Sequence, residues 1–189
     1  MTRHPAPPPA TGAWQEGDPP GRRQWVTLRR PLWLEANTCL PEVRLAYETW
    51  GTLAEDRSNA VLVLHALTGD SHVTGPAEPG HPTPGWWREL IGPGRALDPA
   101  SWYVVAPNVL GGCQGSTGPS SPAPDGRPWG SRFPILTIRD QVAAEVILAL
   151  IEAEQVGACL GELLAAIPGH APGGAAPTRR GSVPRSSPL

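Results

Sequence analysis

The chain has 189 residues, of which 22 are Gly and 25 are Pro, so about a quarter of its positions hold the two residues that most often interrupt helices and strands. Its 15 basic residues are all Arg and face 17 acidic ones, which argues against a basic nucleic-acid-binding stripe and excludes Schiff-base lysine chemistry. No run approaches the roughly 18 apolar residues of a membrane helix, and Arg3 and His4 lead into no apolar segment of a secretory signal, so the composition predicts a cytoplasmic protein without membrane contact.

Residues 1–21 and 168–189 each contain nine Gly or Pro, and both are expected to be disordered tails flanking one domain. Within the domain, Trp25 to Leu34 and Val43 to Trp50 have a strand-like pattern. In the second, Val43, Leu45 and Tyr47 alternate with Arg44, Ala46 and Glu48, and Pro41 marks the connection of a β-hairpin. Asn59 to His65 and Trp102 to Pro107 are short continuous apolar runs, the pattern of strands buried on both faces, and Trp86 to Ile91 between them has room for a helix. Thr137 to Ile151 predicts the clearest helix, with Ile138, Val142, Val146 and Leu150 at intervals of four and Thr137 and Asp140 placed as a cap and its partner. The order, hairpin first and parallel strands second, predicts an α/β domain. Cys39, Cys113 and Cys159 are widely spaced with no CxxC pair, which fits reduced thiols.

Two segments after the apolar runs hold candidate chemistry. His65 to His72 (H-A-L-T-G-D-S-H) has the position of a loop that offers a backbone N–H to an oxyanion, although on spacing alone Gly69 and Asp70 read first as an ordinary turn. Asn108 to Pro119 contains G-x-C-x-G at Gly111 to Gly115, but Pro119, Pro122 and Pro124 forbid the helix that a nucleophile elbow must enter, so the segment reads as a structural or substrate-lining loop. No Ser has Gly at both the -2 and +2 positions. A second G-x-C-x-G, Gly157 to Gly161, places Cys159 where a thiolate would need a base, and the one downstream histidine, His170, lies in the expected tail. The eight Trp residues, with no basic groove beside them, read as packing groups, and His4 and His81 show no metal-ligand spacing.

The blocks Y-E-T-W-G-T-L (Tyr47 to Leu53), S-N-A-V-L-V-L-H-A-L-T-G-D-S-H (Ser58 to His72), N-V-L-G-G-C-Q-G-S-T-G-P-S-S (Asn108 to Ser121) and F-P-I-L-T-I-R-D (Phe133 to Asp140) resemble homoserine O-acetyltransferases of the α/β-hydrolase type, in the family's order. The resemblance implies an incomplete α/β-hydrolase fold over residues 22–161, a non-family tail over 162–189, and acetyl transfer from acetyl-CoA to homoserine in methionine biosynthesis. Acetyl-CoA would be a co-substrate, with no bound cofactor or metal and no nucleic-acid partner, and a homodimer is allowed. The oxyanion donor implied is the backbone N–H of Leu67, with Ala66, Thr68, Gly111, Gly112 and Cys113 as candidate substrate-lining positions. The family's Ser elbow, Asp and His have no counterparts: Val156 to Gly161 resembles the strand entering the elbow, but Glu162-Leu163-Leu164 follows. The expectation is therefore a truncated, inactive chain whose tail results from a shifted reading frame. The alternatives are a non-catalytic fragment that pairs with another chain, or a diverged acyltransferase or hydrolase using Cys159; serine or succinyl specificity also lies within the family's range.

Overall fold

The computed structural model describes residues 12–154. The chain divides into Met1–Ala158 and Cys159–Leu189, and all the described residues belong to the first unit. The segments expected as a C-terminal tail and as an elbow-like strand, with Cys159, lie outside the described residues, as do residues 1–11.

The described residues form six strands, a short 3-10 turn at Gly130–Arg132 and one long helix: β1 (Gln24–Thr27), β2 (Leu32–Trp33), β3 (Cys39–Leu40), β4 (Arg44–Trp50), β5 (Ala60–Leu62), β6 (Tyr103–Pro107) and α1 (Ile138–Glu154). Four strands form a sheet in the order β1-β4-β6-β5, and β2 and β3 form a separate antiparallel ribbon. The expected hairpin is the antiparallel pair β1 and β4, with Trp25 opposite Ala46 and Val26 opposite Leu45. β6 runs antiparallel to β4, with Tyr47 opposite Pro107, and parallel to β5, with Val61 opposite Val104. The sheet is thus mixed, and its parallel pair is the one formed by the two apolar runs.

β4 and β6 are the inner strands, and the two faces of the sheet carry separate cores. Leu45, Tyr47 and Val105 pack with Leu28, Leu34, Leu40, Leu110 and the helix residues Ala144 and Leu148. Val63, Val104 and Ala106 pack with Val73 and Ile91 on the other face. The alternation in β4 predicted one polar face, yet Ala46 and Glu48 are fully buried. The strand is covered on both sides, because the chain after β5 closes over the second face.

The 59–65 run differs from its expectation of burial on both faces. Val63 is buried, but Leu62 and Leu64 are 37% and 50% exposed. β5 is the outermost strand among the described residues, and Leu62 pairs with Val105 on the face where α1 lies. A single helix, roughly 10 Å across, covers the inner strands and leaves that edge bare. The helix expected at Trp86 to Ile91 is a run of turns instead. The Trp87 N–H donates to the Val73 carbonyl at 2.7 Å, and Gly92 (φ 150°) followed by Pro93 stops the segment before a helix can propagate.

The start of α1 follows its sequence signal closely. The Thr137 N–H donates to Asp140 Oδ2 at 2.8 Å, and the Asp140 N–H donates back to Thr137 Oγ1 at 3.2 Å, a reciprocal cap. The buried face differs from the one expected: Asp140, Ala144 and Leu148 point inward, while Ile138 is 74% exposed. Asp140 Oδ1 also accepts the Glu35 N–H at 2.9 Å, a contact 105 positions away that sets the rotation of the helix.

Within the Pro-rich segment expected as a tail, residues 15–21 are exposed but Trp14 is half-buried against the domain. The Trp14 N–H donates to the Cys113 carbonyl at 2.8 Å, its ring lies 5.0 Å from that of Trp25, and Arg44 stacks over Trp25 at 4.7 Å. These contacts give two of the Trp residues the packing role read from composition.

Candidate functional site

β5 and β6 run parallel, so the loops that follow them emerge at the same end of the sheet, where open α/β sheets bind ligands. His65 ties the two loops together. Its Nε2 accepts the Val109 N–H at 3.0 Å, and its Nδ1 lies 2.7 Å from the Ala66 carbonyl. The Gly69 N–H donates to that same carbonyl at 2.8 Å, closing a tight turn over Ala66 to Gly69. Ala66, Leu67 and Thr68 are exposed on this turn, Leu67 completely.

The second loop is fastened to β4. Ser116 Oγ donates to the Asn108 carbonyl at 2.5 Å and accepts the Ala46 N–H at 2.9 Å, while the Thr117 N–H donates to the Arg44 carbonyl at 2.8 Å and Thr117 Oγ1 accepts the Arg44 N–H at 2.9 Å. Gly111 adopts φ 86°, and a Cβ on Gly112 would lie 2.8 Å from the Val109 carbonyl oxygen, so the pair of glycines is what lets the chain fold back here. Cys113 is exposed and free, and no helix follows it, as the prolines require. The structure therefore places Leu67, Ala66 and Thr68 on one loop and Gly111, Gly112 and Cys113 on its neighbour, with His65 joining them.

Behind the first loop lies a buried cluster that sequence reasoning missed. Glu48 accepts a hydrogen bond from Ser71 Oγ at 3.0 Å, His72 Nδ1 lies 3.2 Å from its Oε2, and His81 Nε2 lies 3.2 Å from its Oε1. The other nitrogen of His72 faces the Pro76 carbonyl at 3.1 Å. Both ring nitrogens of His72 thus face acceptors, an arrangement that only the imidazolium satisfies. Burial pushes the His72 pKa down, but the hydrogen bond and charge of Glu48 more than offset it, leaving the pKa above the ordinary histidine value. Burial pushes His81 the other way, to about 4, against the pull of Glu48, and Arg23 adds to the fall. His81 is therefore neutral, its Nδ1 has no hydrogen-bond partner among the described residues, and the Arg22 N–H lies 3.3 Å from its Nε2. Arg23, also buried, bridges toward the second loop by donating to Gln114 Oε1 at 2.8 Å.

The ligand atoms of Glu48, His72 and His81 lie within 4.8 Å of one another, the proximity of a metal centre. Ring geometry argues against one. The two imidazoles stack with centroids 3.8 Å apart and planes 12° from parallel, so their in-plane lone pairs cannot converge on one ion. The cluster is a hydrogen-bonded ion pair that fastens residues 70–81 to β4. Nothing local in the sequence marks it, because its members are brought together from a strand and from two separate points in a long loop.

Glu145 on α1 is another buried acid, and burial raises its pKa to about 7. Its folded form holds a proton that the unfolded chain releases near pH 4.5, so stability falls as pH rises from about 4.5 to about 7 and is then flat with respect to this group. Glu145→Gln is expected to be more stable than the parent at pH 8 by up to about 3 kcal/mol, with little difference at pH 4. Urea titrations of both proteins at the two pH values check this, and an equal effect at both would contradict it.

No family model matches the chain. The homoserine O-acetyltransferase of Thermobifida fusca is 73% identical over 149 residues, which cover 78% of this chain and 39% of that protein. The homoserine O-acetyltransferase of Clavibacter michiganensis is 61% identical over 142 residues, covering 75% and 36%. Among solved structures, the homoserine O-acetyltransferase of Bacillus anthracis superposes with a TM-score of 0.60 at 30% identity over 70% of this chain and 36% of that one. Esterase E22 gives 0.58 at 33% identity over 69% and 37%. These neighbours are α/β-hydrolases, and the mixed sheet described here is part of that fold. The chain spans about two-fifths of the length of the curated relatives it matches.

Proposed function

We infer that this chain, a homologue of the homoserine O-acetyltransferases over its N-terminal portion, descends from an enzyme that moves an acetyl group from acetyl-CoA to the hydroxyl of homoserine, a step in methionine biosynthesis in the cytoplasm. In this reading the Leu67 N–H is one donor to the oxyanion that forms when the thioester carbonyl is attacked. The loop after β6, with Gly111, Gly112 and Cys113, lines the substrate space, and acetyl-CoA is a co-substrate.

The observation that carries the reading is the junction of the two loops at the C-terminal ends of β5 and β6, held by the 3.0 Å bond from Val109 to His65. These residues supply the oxyanion side of the site. The 189 residues contain no Ser with Gly on both sides at the elbow spacing, so the chain brings no serine to be acylated and is inactive alone.

A chimera tests the assignment. Residues 22–150, grafted into the Thermobifida fusca relative in place of their counterpart, are expected to leave acetyl transfer to homoserine within about tenfold of that protein's own rate. A chimera that folds and transfers no acetyl group would overturn it.

A further inference from the structure

The peptide between Ala66 and Leu67 is held by its carbonyl from two sides. The Gly69 N–H donates to it across the turn at 2.8 Å, and His65 Nδ1 reaches it at 2.7 Å. Because the Ala66 oxygen only accepts, Nδ1 must carry the proton; because the Val109 N–H only donates, Nε2 must carry the lone pair. Both contacts therefore select a single neutral tautomer of His65. A trans peptide is planar with its C=O and N–H antiparallel, so fixing the Ala66 carbonyl also fixes the Leu67 N–H, which points away from the turn and from the His65 ring. That N–H has no partner among the described residues.

We propose that His65 is the positioning residue that aims the Leu67 N–H, using Nδ1–H to hold the Ala66 carbonyl and Nε2 to brace the ring on Val109 of the neighbouring loop. The functional weight of this aim rests on the oxyanion role given to Leu67 above; the aiming itself does not. Gly69 belongs to the same device: a Cβ there would stand 2.9 Å from the His65 Cβ, so a side chain at 69 would push the ring off the carbonyl. A preorganised donor incurs no reorganisation when charge develops, and a loop whose side chain is otherwise solvated needs such a brace to stay oriented.

The test is nuclear magnetic resonance on the 15N-labelled chain. In the parent, His65 is expected to show a protonated Nδ1 and an unprotonated Nε2, and the Leu67 N–H to have an order parameter near about 0.85. In His65→Phe, which keeps a ring and removes both nitrogens, that order parameter is expected to fall below about 0.6, and the Val109 amide to exchange roughly fivefold faster. An unchanged order parameter in the variant would overturn the proposal. So would the Nε2–H tautomer in the parent, a result that stands even if the variant does not fold. The chimera's turnover and these spectra fail separately, so the loss of one reading leaves the other measurable.

Discussion

Glu48→Leu is expected to cost about 3–5 kcal/mol of stability at pH 6. The carboxylate lies under Ser71 Oγ, His72 and His81 at 3.0–3.2 Å and is fully buried, and His72 is held as a cation by its two acceptors. A leucine fills the space but leaves an imidazolium with half its hydrogen bonding and no counter-charge, the costly way to break a buried pair. His72 has a raised pKa, so the contribution of the pair is fully present below pH 6.5 and is lost as pH rises through the folded value. The penalty for Glu48→Leu should therefore shrink between pH 6 and pH 9, where His72 can shed its proton. Urea unfolding at both pH values reads this out, and a loss below about 1 kcal/mol at pH 6 would mean that the cluster contributes no more than a surface ion pair.

What was legible in the sequence was local. The cap at Thr137 and Asp140 spans three residues and acts within one turn, so its signal survived intact. The β1 and β4 pairing and the inner strand β6 also followed from short patterns, since alternation and apolar runs are properties of a few neighbouring residues. The inward face of α1 was not legible, because the helix is apolar on more than one side and the Asp140 to Glu35 contact that rotates it joins distant parts of the chain. Glu48 read as the polar side of an alternating strand, since nothing in its neighbours says that residues 70–81 will lie over it. His81 sits among prolines and glycines and reads as a loop residue until the fold stacks it on His72. Leu62 and Leu64 read as core, and their exposure follows from β5 being the edge of the described sheet.

The family blocks were legible for a related reason. Each is a loop with its adjoining strand or helix, and the loops are where the geometry is least tolerant. Gly111 adopts a left-handed backbone, and a Cβ on Gly118 would lie 2.8 Å from the Gly112 carbonyl oxygen. Ser116 and Thr117 hold backbone groups of β4 rather than substrate, so that block is recognisable partly because it builds the fold. Of the neighbouring candidate positions, Cys113 is exposed, while Gly111 and Gly112 are half-buried and hydrogen-bonded through their N–H groups.

The proposed function gives these residues the oxyanion side of an acyltransferase site, and no Ser of the 189 residues has the elbow spacing. Removing the nucleophile from a catalytic triad lowers kcat by about a millionfold, and Leu67 as a lone donor cannot replace a group that must be acylated. The direct measurement is CoA release from acetyl-CoA by the purified chain, with and without homoserine, beside a Cys159→Ala variant. Release at the uncatalysed background is expected in all four conditions. Homoserine-dependent release above background that disappears in Cys159→Ala would contradict it and identify Cys159 as a working nucleophile.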